Sequence, residues 1–427
     1  MNSDQQYINL YFQVHQPRRL KRFQFFDVGL DDKYFDDVLN KEIMCRIAKH
    51  CYLPTNQLLL KMIEKHPEFK VTFSISGTAL EQFEQYAPEV LQSFRQLAET
   101  GSVEFLGETY YHSLAYFINR EEFIEQVGLH RQRMNEVLGV DPVFFRNTEL
   151  IYSDAIGATA AELGFAGMYV DGIEKVLNGR TANNLYRHPE KNLVLMPRNY
   201  RLSDDIAFRY SDKNWSEWPL TGVKFAKWIS AIPATEKLVN LAMDYETFGE
   251  HKKNDSGIFE FLQDFIKTIL AEEKIRFVNP SEAALLLPST EVLTAKRVIS
   301  WADEARDLSA WLGNDMQRDA FGSLYKFHDS IIESNNRKLI DAYRNLQTSD
   351  HFYYMSTKNG SDGTVHQYFS PYSSPYEAFM NFMNVITDVE LRIRRLAIVM
   401  SNRKDVSQKD ALPNENVRGL LLKETVS

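Results

Sequence analysis

The stretch LVNLAMDYETFGEH, residues 238–251, decides how this chain folds. Its first six residues form an apolar run, which is typical of a strand that is buried on both faces. Asp244 follows directly, so we expect it at the rim where parallel sheets and barrels carry their functional residues. An aspartate in this position can equally well cap the next helix. The stretch therefore predicts a buried parallel strand and leaves both roles of Asp244 open.

A second stretch of the same design is VFFRNTELIYSD, residues 143–154. A β-type aromatic run leads into Arg146, which can orient a carboxylate, and Glu149 lies near the end of the strand. Two carboxylates from different strands at one rim are what the cleavage of a glycosidic bond requires. The alternative is a surface ion pair between Arg146 and Glu149.

Short β-type runs alternate with helical patterns about seven times along the first part of the chain. The predicted strands are residues 7–14, 71–75, 103–106, 143–145, 167–170, 193–196 and 238–243, with a last short strand at 275–278. This alternation predicts parallel βαβ units that close, or nearly close, into a barrel. Polar residues recur just after these strands: His15, Glu108, Glu149, Asp171, Arg198 and Asp244.

The pattern changes to helix from about residue 300. Residues 313–346 and 376–402 have the helical period, and residues 353–375 between them, rich in Gly, Ser and Tyr, are predicted as a loop. We therefore predict a barrel domain over residues 1–290, a helical domain over 291–403 and a polar, flexible tail over 404–427.

Composition limits the possible partners. The formal net charge of −9 argues against a protein that binds nucleic acid through phosphate contacts. The chain has two cysteines, a start without signal-peptide character and no apolar run near the roughly 20 residues of a membrane span. We expect a cytoplasmic protein that binds neither nucleic acid nor membrane, and the oligomeric state is open. Aromatic residues make up 13% of the chain, which leans toward carbohydrate because their rings stack on sugars.

Several motifs in order along the chain are similar to those of one family. They are His15-Gln16-Pro17 after the first strand, GSVEFLGETYYH at 101–112, Arg146-Asn147-Thr148-Glu149, and DYETFGEH at 244–251, with further similarity at 300–314 and 365–379. Together they resemble glycoside hydrolase family 57, the α-amylase-type enzymes that act on α-glucans.

The resemblance implies an incomplete (β/α)7 barrel followed by a C-terminal α-helical bundle, and hydrolysis with retention of anomeric configuration. Glu149 would be the nucleophile and Asp244 the acid/base, with carboxyl groups roughly 5–5.5 Å apart. The family works with carboxylates, so the resemblance implies no cofactor and no metal.

Eight further residues are candidates for binding the sugar: His15, Gln16, Glu108, His112, Arg146, His251, Trp301 and Asp303. Trp215, Trp218 and Trp311 are further candidate stacking platforms, with burial in the core as the alternative. The histidines are equally compatible with core or helix-end positions. A zinc site built from His15, His112 and His251 is a competing interpretation.

Two alternatives to an α-glucan hydrolase stay open. A 4-α-glucanotransferase would use the same two carboxylates and pass the glycosyl unit to a sugar instead of water. A catalytically silent carbohydrate-binding protein would keep the barrel without turnover, although the presence of both Glu149 and Asp244 argues against it.

Overall fold

The computed structural model of the chain describes residues 5–410, and the side chains of residues 5–398. Strands and helices alternate up to about residue 286, after which the described chain is mainly helical. The strands are β1 Gln6–Val14, β2 Val71–Ile75, β3 Val103–Phe105, β4 Phe144–Phe145, β5 Gly167–Asp171, β6 Tyr186–Arg187, β7 Val194–Arg198, β8 Leu238–Asp244 and β9 Ile275–Phe277.

Seven parallel strands, namely β1, β2, β3, β4, β5, β7 and β8, form an incompletely closed barrel. One sheet has the order β3-β2-β1-β8, with β9 paired to the start of β1, and a second has the order β4-β5-β7-β6. A parallel bridge between Gly107 and Phe145 joins β3 to β4. On the other side, the Asn199 amide donates to the Asn240 carbonyl at 2.9 Å, which links the end of β7 to β8 without a full ladder. The predicted incomplete seven-stranded barrel is confirmed.

The helices lie between the strands and then follow the barrel. They are α1 Asp37–Ile47, α2 Leu53–Lys65, α3 Gly77–Tyr86, α4 Pro88–Glu99, α5 Arg120–Leu138, α6 Asp154–Glu162, α7 Glu174–Leu177, α8 Tyr200–Ala207, α9 Gly222–Ser230, α10 Ile258–Leu270, α11 Pro280–Leu286, α12 Ser309–Leu312, α13 Asp315–Tyr325, α14 His328–Glu333, α15 Arg337–Leu346, α16 Ser349–Tyr353, α17 Gly360–Phe369 and α18 Pro375–Asp410. The Asn119 side chain caps the start of α5, and Gly139, with a φ of 69°, caps its end. No helix in the described range is long and apolar enough to cross a membrane.

Among the described residues, two large apolar clusters and a smaller one inside the barrel form the core. The first packs β1, β2 and β8 against surrounding helices, and the six apolar-run residues of β8 are buried because helices cover one face and the barrel interior the other. The second runs without a break from Phe145, Met168 and Leu195 of the barrel strands to Phe352 and Phe382 of the C-terminal helices. The barrel and the helices that follow it therefore share one core.

In the C-terminal part, the helical character predicted for residues 313–346 is confirmed, and the loop predicted for residues 353–375 was wrong where a helix forms. The helical pattern of residues 313–346 is divided into α13, α14 and α15, and Asn335, with a φ of 51°, lies in the turn before α15. Residues 353–375 contain α17, which the Gly- and Ser-rich composition concealed; only His366 of its ten residues is buried. The predicted tail begins at 404, but α18 runs to Asp410; the remainder, 411–427, lies outside the described residues.

Candidate active site

Glu149 lies just after β4, in a short 3₁₀ helix formed by Thr148–Leu150. Its φ of 57° is in the left-handed region, which side-chain-bearing residues rarely adopt. The Trp301 amide donates to the Glu149 carbonyl at 3.2 Å, and the Trp301 indole N–H donates to Oε2 at 2.7 Å. These two contacts fix the backbone and the carboxyl group of Glu149. Strained backbone conformations of this kind cluster at functional sites.

His112 binds the other oxygen of the Glu149 carboxyl. Its Nε2 lies 2.9 Å from Glu149 Oε1, and its Nδ1 lies 3.2 Å from Glu108 Oε2. Burial lowers the pKa of His112, but the hydrogen bonds to the two carboxylates outweigh burial and raise that pKa to about 9. Burial also raises the pKa of Glu149, yet the His112 cation, the Arg146 charge and the Trp301 indole hold it below its usual value. At neutral pH, Glu149 is therefore ionised beside an imidazolium.

The Glu108–His112–Glu149 contacts form one row of hydrogen-bonded side chains. His15, which directly follows β1, is the centre of a second row that lies beside it. Its ring stacks on His112 with 3.9 Å between ring centroids. Nδ1 of His15 lies 2.7 Å from Ser76 Oγ, and Nε2 lies 3.0 Å from Asp350 Oδ2. Burial and the charge of His112 lower the pKa of His15, so this ring is neutral. The two rows bring the ends of β1, β2, β3 and β4 to one place.

Asp244, the last residue of β8, aligns with Gln13 in the parallel register with β1. Burial and the negative charge of Glu149 raise the pKa of Asp244 to about 6. Glu149 and Asp244 are therefore close enough for their charges to interact, and their pKa values move in opposite directions. The Asp244 carboxyl makes no hydrogen bond with another side chain between residues 5 and 398, so it is free to meet a ligand.

The sequence reasoning missed two acids of this site. Glu246 is buried, and it accepts hydrogen bonds from the Tyr52 hydroxyl and from Gln16 Nε2 at 3.2 Å. Burial and the charge of Asp244 raise the pKa of Glu246 to about 8, so it carries a proton at neutral pH. Asp350, on α16, was missed because no local pattern links it to His15, which precedes it by 335 residues. Glu246 could have been suspected from its place in the stretch that carries Asp244.

Arg146 is buried but does not pair with Glu149 as a surface ion pair would. Its guanidinium lies over the Trp301 ring, 5.0 Å from the centroid. Within the described residues none of its three guanidinium nitrogens has a hydrogen-bond partner. A buried cation without hydrogen bonds is costly, so these donors are available to a ligand or to water.

Trp301 is fixed to the barrel by a cluster of four charges. Arg198 bonds Asp171 at 3.4 Å and Asp204 at 2.6 Å, and Arg306 bonds the same two carboxylates at 3.1 and 3.0 Å. Arg306 also donates to the Trp301 carbonyl at 2.6 Å. The segment carrying Trp301 is thereby joined to β5, β7 and α8.

The other predicted residues lie further out. His251 contacts Tyr368 and Phe369 instead of the stacked pair of histidines. Asp303 is engaged inside the protein, where it bonds Lys358 Nζ at 2.6 Å and His366 Nε2 at 3.0 Å. Of the other tryptophans, Trp311 lies in the core with 1% exposure, so the expectation of a stacking platform there was wrong, whereas Trp218 is exposed.

The ring nitrogens at the centre of the site are bonded to protein oxygens. Both nitrogens of His15 and of His112 have such partners, and His251 lies apart from them. Within the described part of the chain, no three His, Cys, Asp or Glu side chains are arranged to hold a metal ion.

Comparisons with known proteins show which family the chain belongs to. The model of glycosyl hydrolase family 57 matches residues 9–299. A protein of Methanocaldococcus jannaschii, provisionally named alpha-amylase, is 42% identical over 415 residues, which are 94% of this chain and 88% of that protein.

Two solved structures share the fold. A branching enzyme of Thermococcus kodakaraensis matches with a TM-score of 0.65 and 12% identity, over 85% of this chain and 87% of that one. A 4-alpha-glucanotransferase of Thermococcus litoralis matches with a TM-score of 0.60 and 16% identity, over 82% of this chain and 56% of that one. At these identities the two structures bear on the fold alone. The match of the family model and the 42% identical relative establish that this chain belongs to glycosyl hydrolase family 57.

Proposed function

We propose that this member of glycosyl hydrolase family 57 hydrolyses α-glucosidic bonds of α-glucans such as starch, glycogen and maltodextrin, as an α-amylase does, with retention of anomeric configuration. The observation that carries the proposal is that the pKa values of two carboxyl groups at one rim of the barrel are shifted in opposite directions. Neighbouring cations and the Trp301 indole lower the pKa of Glu149, whereas burial and the Glu149 charge raise the pKa of Asp244 to about 6. One group is prepared to attack and the other to donate a proton.

In the first step, Glu149 attacks the anomeric carbon and forms a carbon–oxygen bond to it. The bond to the leaving oxygen breaks, and that oxygen takes the proton of Asp244. The Asp244 carboxylate then removes a proton from water, and the water oxygen attacks the same carbon and displaces Glu149. Two inversions leave the configuration retained.

The remaining polar groups support this role. The donors of Arg146 have no hydrogen-bond partner in the part of the chain described, so they suit the hydroxyl groups of a bound sugar. We assign His15, Gln16, Glu108 and His112 to the inner wall of the same sugar site. Glu108 would act from behind His112, since its carboxyl is fully buried.

Incubation with maltoheptaose tests the activity. Hydrolysis predicts shorter products only, and Glu149→Gln is expected to lower kcat by roughly 10⁴-fold because it removes the nucleophile. A wild-type protein with no products would instead favour the silent binding protein.

A second candidate is 4-α-glucanotransferase, because a Thermococcus litoralis protein of that name is 22% identical to this chain over 243 residues, 55% of this chain and 35% of that protein. It uses the same two carboxylates, and sugar replaces water as the acceptor. The same incubation separates the two functions, because transfer also produces chains longer than maltoheptaose.

The assignment of the two roles is tested with azide and an α-maltosyl fluoride, whose leaving group needs little help from an acid. In Glu149→Ala, azide takes the place of the nucleophile and the expected product is the inverted β-maltosyl azide. In Asp244→Ala, azide attacks the maltosyl enzyme and the expected product is the retained α-maltosyl azide. Exchanged stereochemistry between the two variants would reverse the assignment.

We also propose that the protein works in the cytoplasm. Its two cysteines, Cys45 and Cys51, are both free, which suits a reducing compartment. Separation of cell fractions followed by detection with an antibody tests the location.

A further inference from the structure

The helix α17 contacts two segments of the site, residues 303–304 on one side and His251, after Asp244, on the other. Near its start, the Asp362 carboxylate accepts a hydrogen bond from the Glu304 amide at 3.2 Å. In its last turn, His366 bonds Asp303, and Tyr368 follows two residues later. The 301–306 segment that these contacts reach is the one that carries Trp301. One side of α17 is therefore attached next to the partner of Glu149.

The other end of α17 lies against the segment that follows Asp244. The Tyr368 hydroxyl is 3.0 Å from His251 Nδ1, and the rings of Tyr368 and Phe369 lie 5.7 and 5.5 Å from the His251 ring. His251 is seven residues beyond Asp244. We call the surface made by His251, Tyr368 and Phe369 the aromatic shelf.

The aromatic shelf is connected to the catalytic centre by Tyr353. The ring of Tyr353 stacks on His366 at 3.6 Å, and its centroid is 6.5 Å from that of Phe369. After burial, the charges of Asp303 and Glu149 are the main causes that raise the pKa of Tyr353. Tyr353 therefore contacts both His366 and, in the aromatic shelf, Phe369, and it lies near enough to Glu149 for their charges to interact.

The aromatic shelf keeps large apolar rings in contact with solvent. Tyr368 is 62% exposed and Phe369 is 40% exposed, and their rings meet edge to face at 5.0 Å. A ten-residue helix is marginal by itself, and α17 buries only His366. If the two rings were buried against the protein, they would stabilise this helix. They are exposed instead, so their apolar surface is available to a ligand.

The side chains of the aromatic shelf indicate which kind of ligand it binds. Tyrosine and phenylalanine faces, with a neutral imidazole and a hydroxyl beside them, match the apolar faces and hydroxyl edges of a pyranose ring. Burial lowers the pKa of His251 to about 4, so its ring is neutral at neutral pH. The nearby cations are engaged within the protein: Arg46 and Lys253 pair with Glu250 at 3.0 and 3.6 Å, and Lys252 Nζ donates to the Phe208 carbonyl at 3.4 Å. The aromatic shelf is continuous with the segment carrying the proton donor, which stands on the side where the cleaved sugar departs.

We propose that the aromatic shelf binds a glucose unit of the α-glucan on the leaving-group side of the scissile bond. The proposal rests on the proposed function and adds to it a binding site for the part of the chain that departs. It predicts a preference for substrates long enough to reach α17.

The test compares a substrate that reaches the aromatic shelf with one that does not. Maltoheptaose has sugar units on the leaving-group side, whereas α-maltosyl fluoride has only fluoride there. In the variant Tyr368→Ala with Phe369→Ala, the ratio of kcat/KM for maltoheptaose to kcat/KM for the fluoride is expected to fall about tenfold, as for a lost aromatic contact. Tyr368→Phe keeps the ring and is expected to keep most of the ratio.

Phe26→Ala is the matched control, because this aromatic ring is 81% exposed and belongs to neither α17 nor the site. It is expected to leave both activities unchanged. A ratio that stays at the wild-type value in the double variant would overturn the proposal, as would an equal loss on both substrates. A wild-type protein inactive on both substrates would overturn the proposed function instead. The aromatic shelf would then be judged by calorimetry with maltoheptaose, and equal affinity of wild type and double variant would overturn it.

Discussion

At the scale of single residues, the site combines strained backbone conformations with opposite pKa shifts of the Glu149 and Asp244 carboxyl groups. Five non-glycine residues with positive φ lie in the site or its walls: His112, Glu149, Leu150, Asp303 and Arg306. Each such residue costs on the order of 1–3 kcal/mol, which the surrounding contacts must offset. Backbone conformations of this kind at residues other than glycine have no signature in the sequence. The positions of Glu149 and Asp244 near strand ends could be predicted from the sequence, but their geometry could not.

The pH dependence of kcat/KM follows from the two carboxyl groups. Activity on maltoheptaose is expected to rise as Glu149 ionises, below the ordinary glutamate range, and to fall as Asp244 loses its proton near pH 6. Trp301→Phe removes a hydrogen bond that favours the ionised Glu149, so the lower limb should move up by about one pH unit. Trp228→Phe, distant from Glu149, is the control. An unmoved lower limb in Trp301→Phe would mean that the indole does not act on Glu149.

At the scale of elements, the sequence predicted what depends on local pattern. The buried strands were recognisable because apolar β-type runs end in polar residues. The contacts that complete the site come from segments with no such pattern. Asp350 reaches His15 from α16, and α17 lies where composition predicted a loop. These depend on tertiary packing, which sequence periodicity does not record.

The four-charge cluster that holds the 301–306 segment gives a prediction about stability. Arg306→Leu leaves the buried Asp171 with one cation fewer and is expected to lower the free energy of unfolding by about 3 kcal/mol. Arg201→Leu is the matched control, since its pair with Glu174 is exposed at both side chains, and it should cost no more than about 1 kcal/mol. Urea denaturation measures both. Equal effects in the two variants would mean that the cluster does not fix the segment.

At the scale of the whole molecule, the barrel and the C-terminal helices form the site together. His112, Glu149 and Asp244 come from strand ends, whereas Trp301 and Asp350 come from the region after residue 290. The second apolar cluster passes between the two parts, from Phe145 and Met168 to Phe352 and Phe382. The division at residue 290 stays a prediction about domains, and the shared core indicates that neither part buries its apolar surface alone.

Expression of residues 1–290 alone tests this dependence. The fragment would expose the apolar side chains that face the C-terminal helices, and surfaces of this kind drive aggregation, so we expect it in the insoluble fraction without activity. Co-expression with residues 291–427 is expected to return a soluble complex that binds maltoheptaose, because the second fragment covers the cluster and supplies Trp301 and Asp350. A soluble fragment of residues 1–290 with a cooperative unfolding transition would contradict the prediction. In that case the barrel would be stable by itself, and the C-terminal helices would be needed for the site and not for the fold.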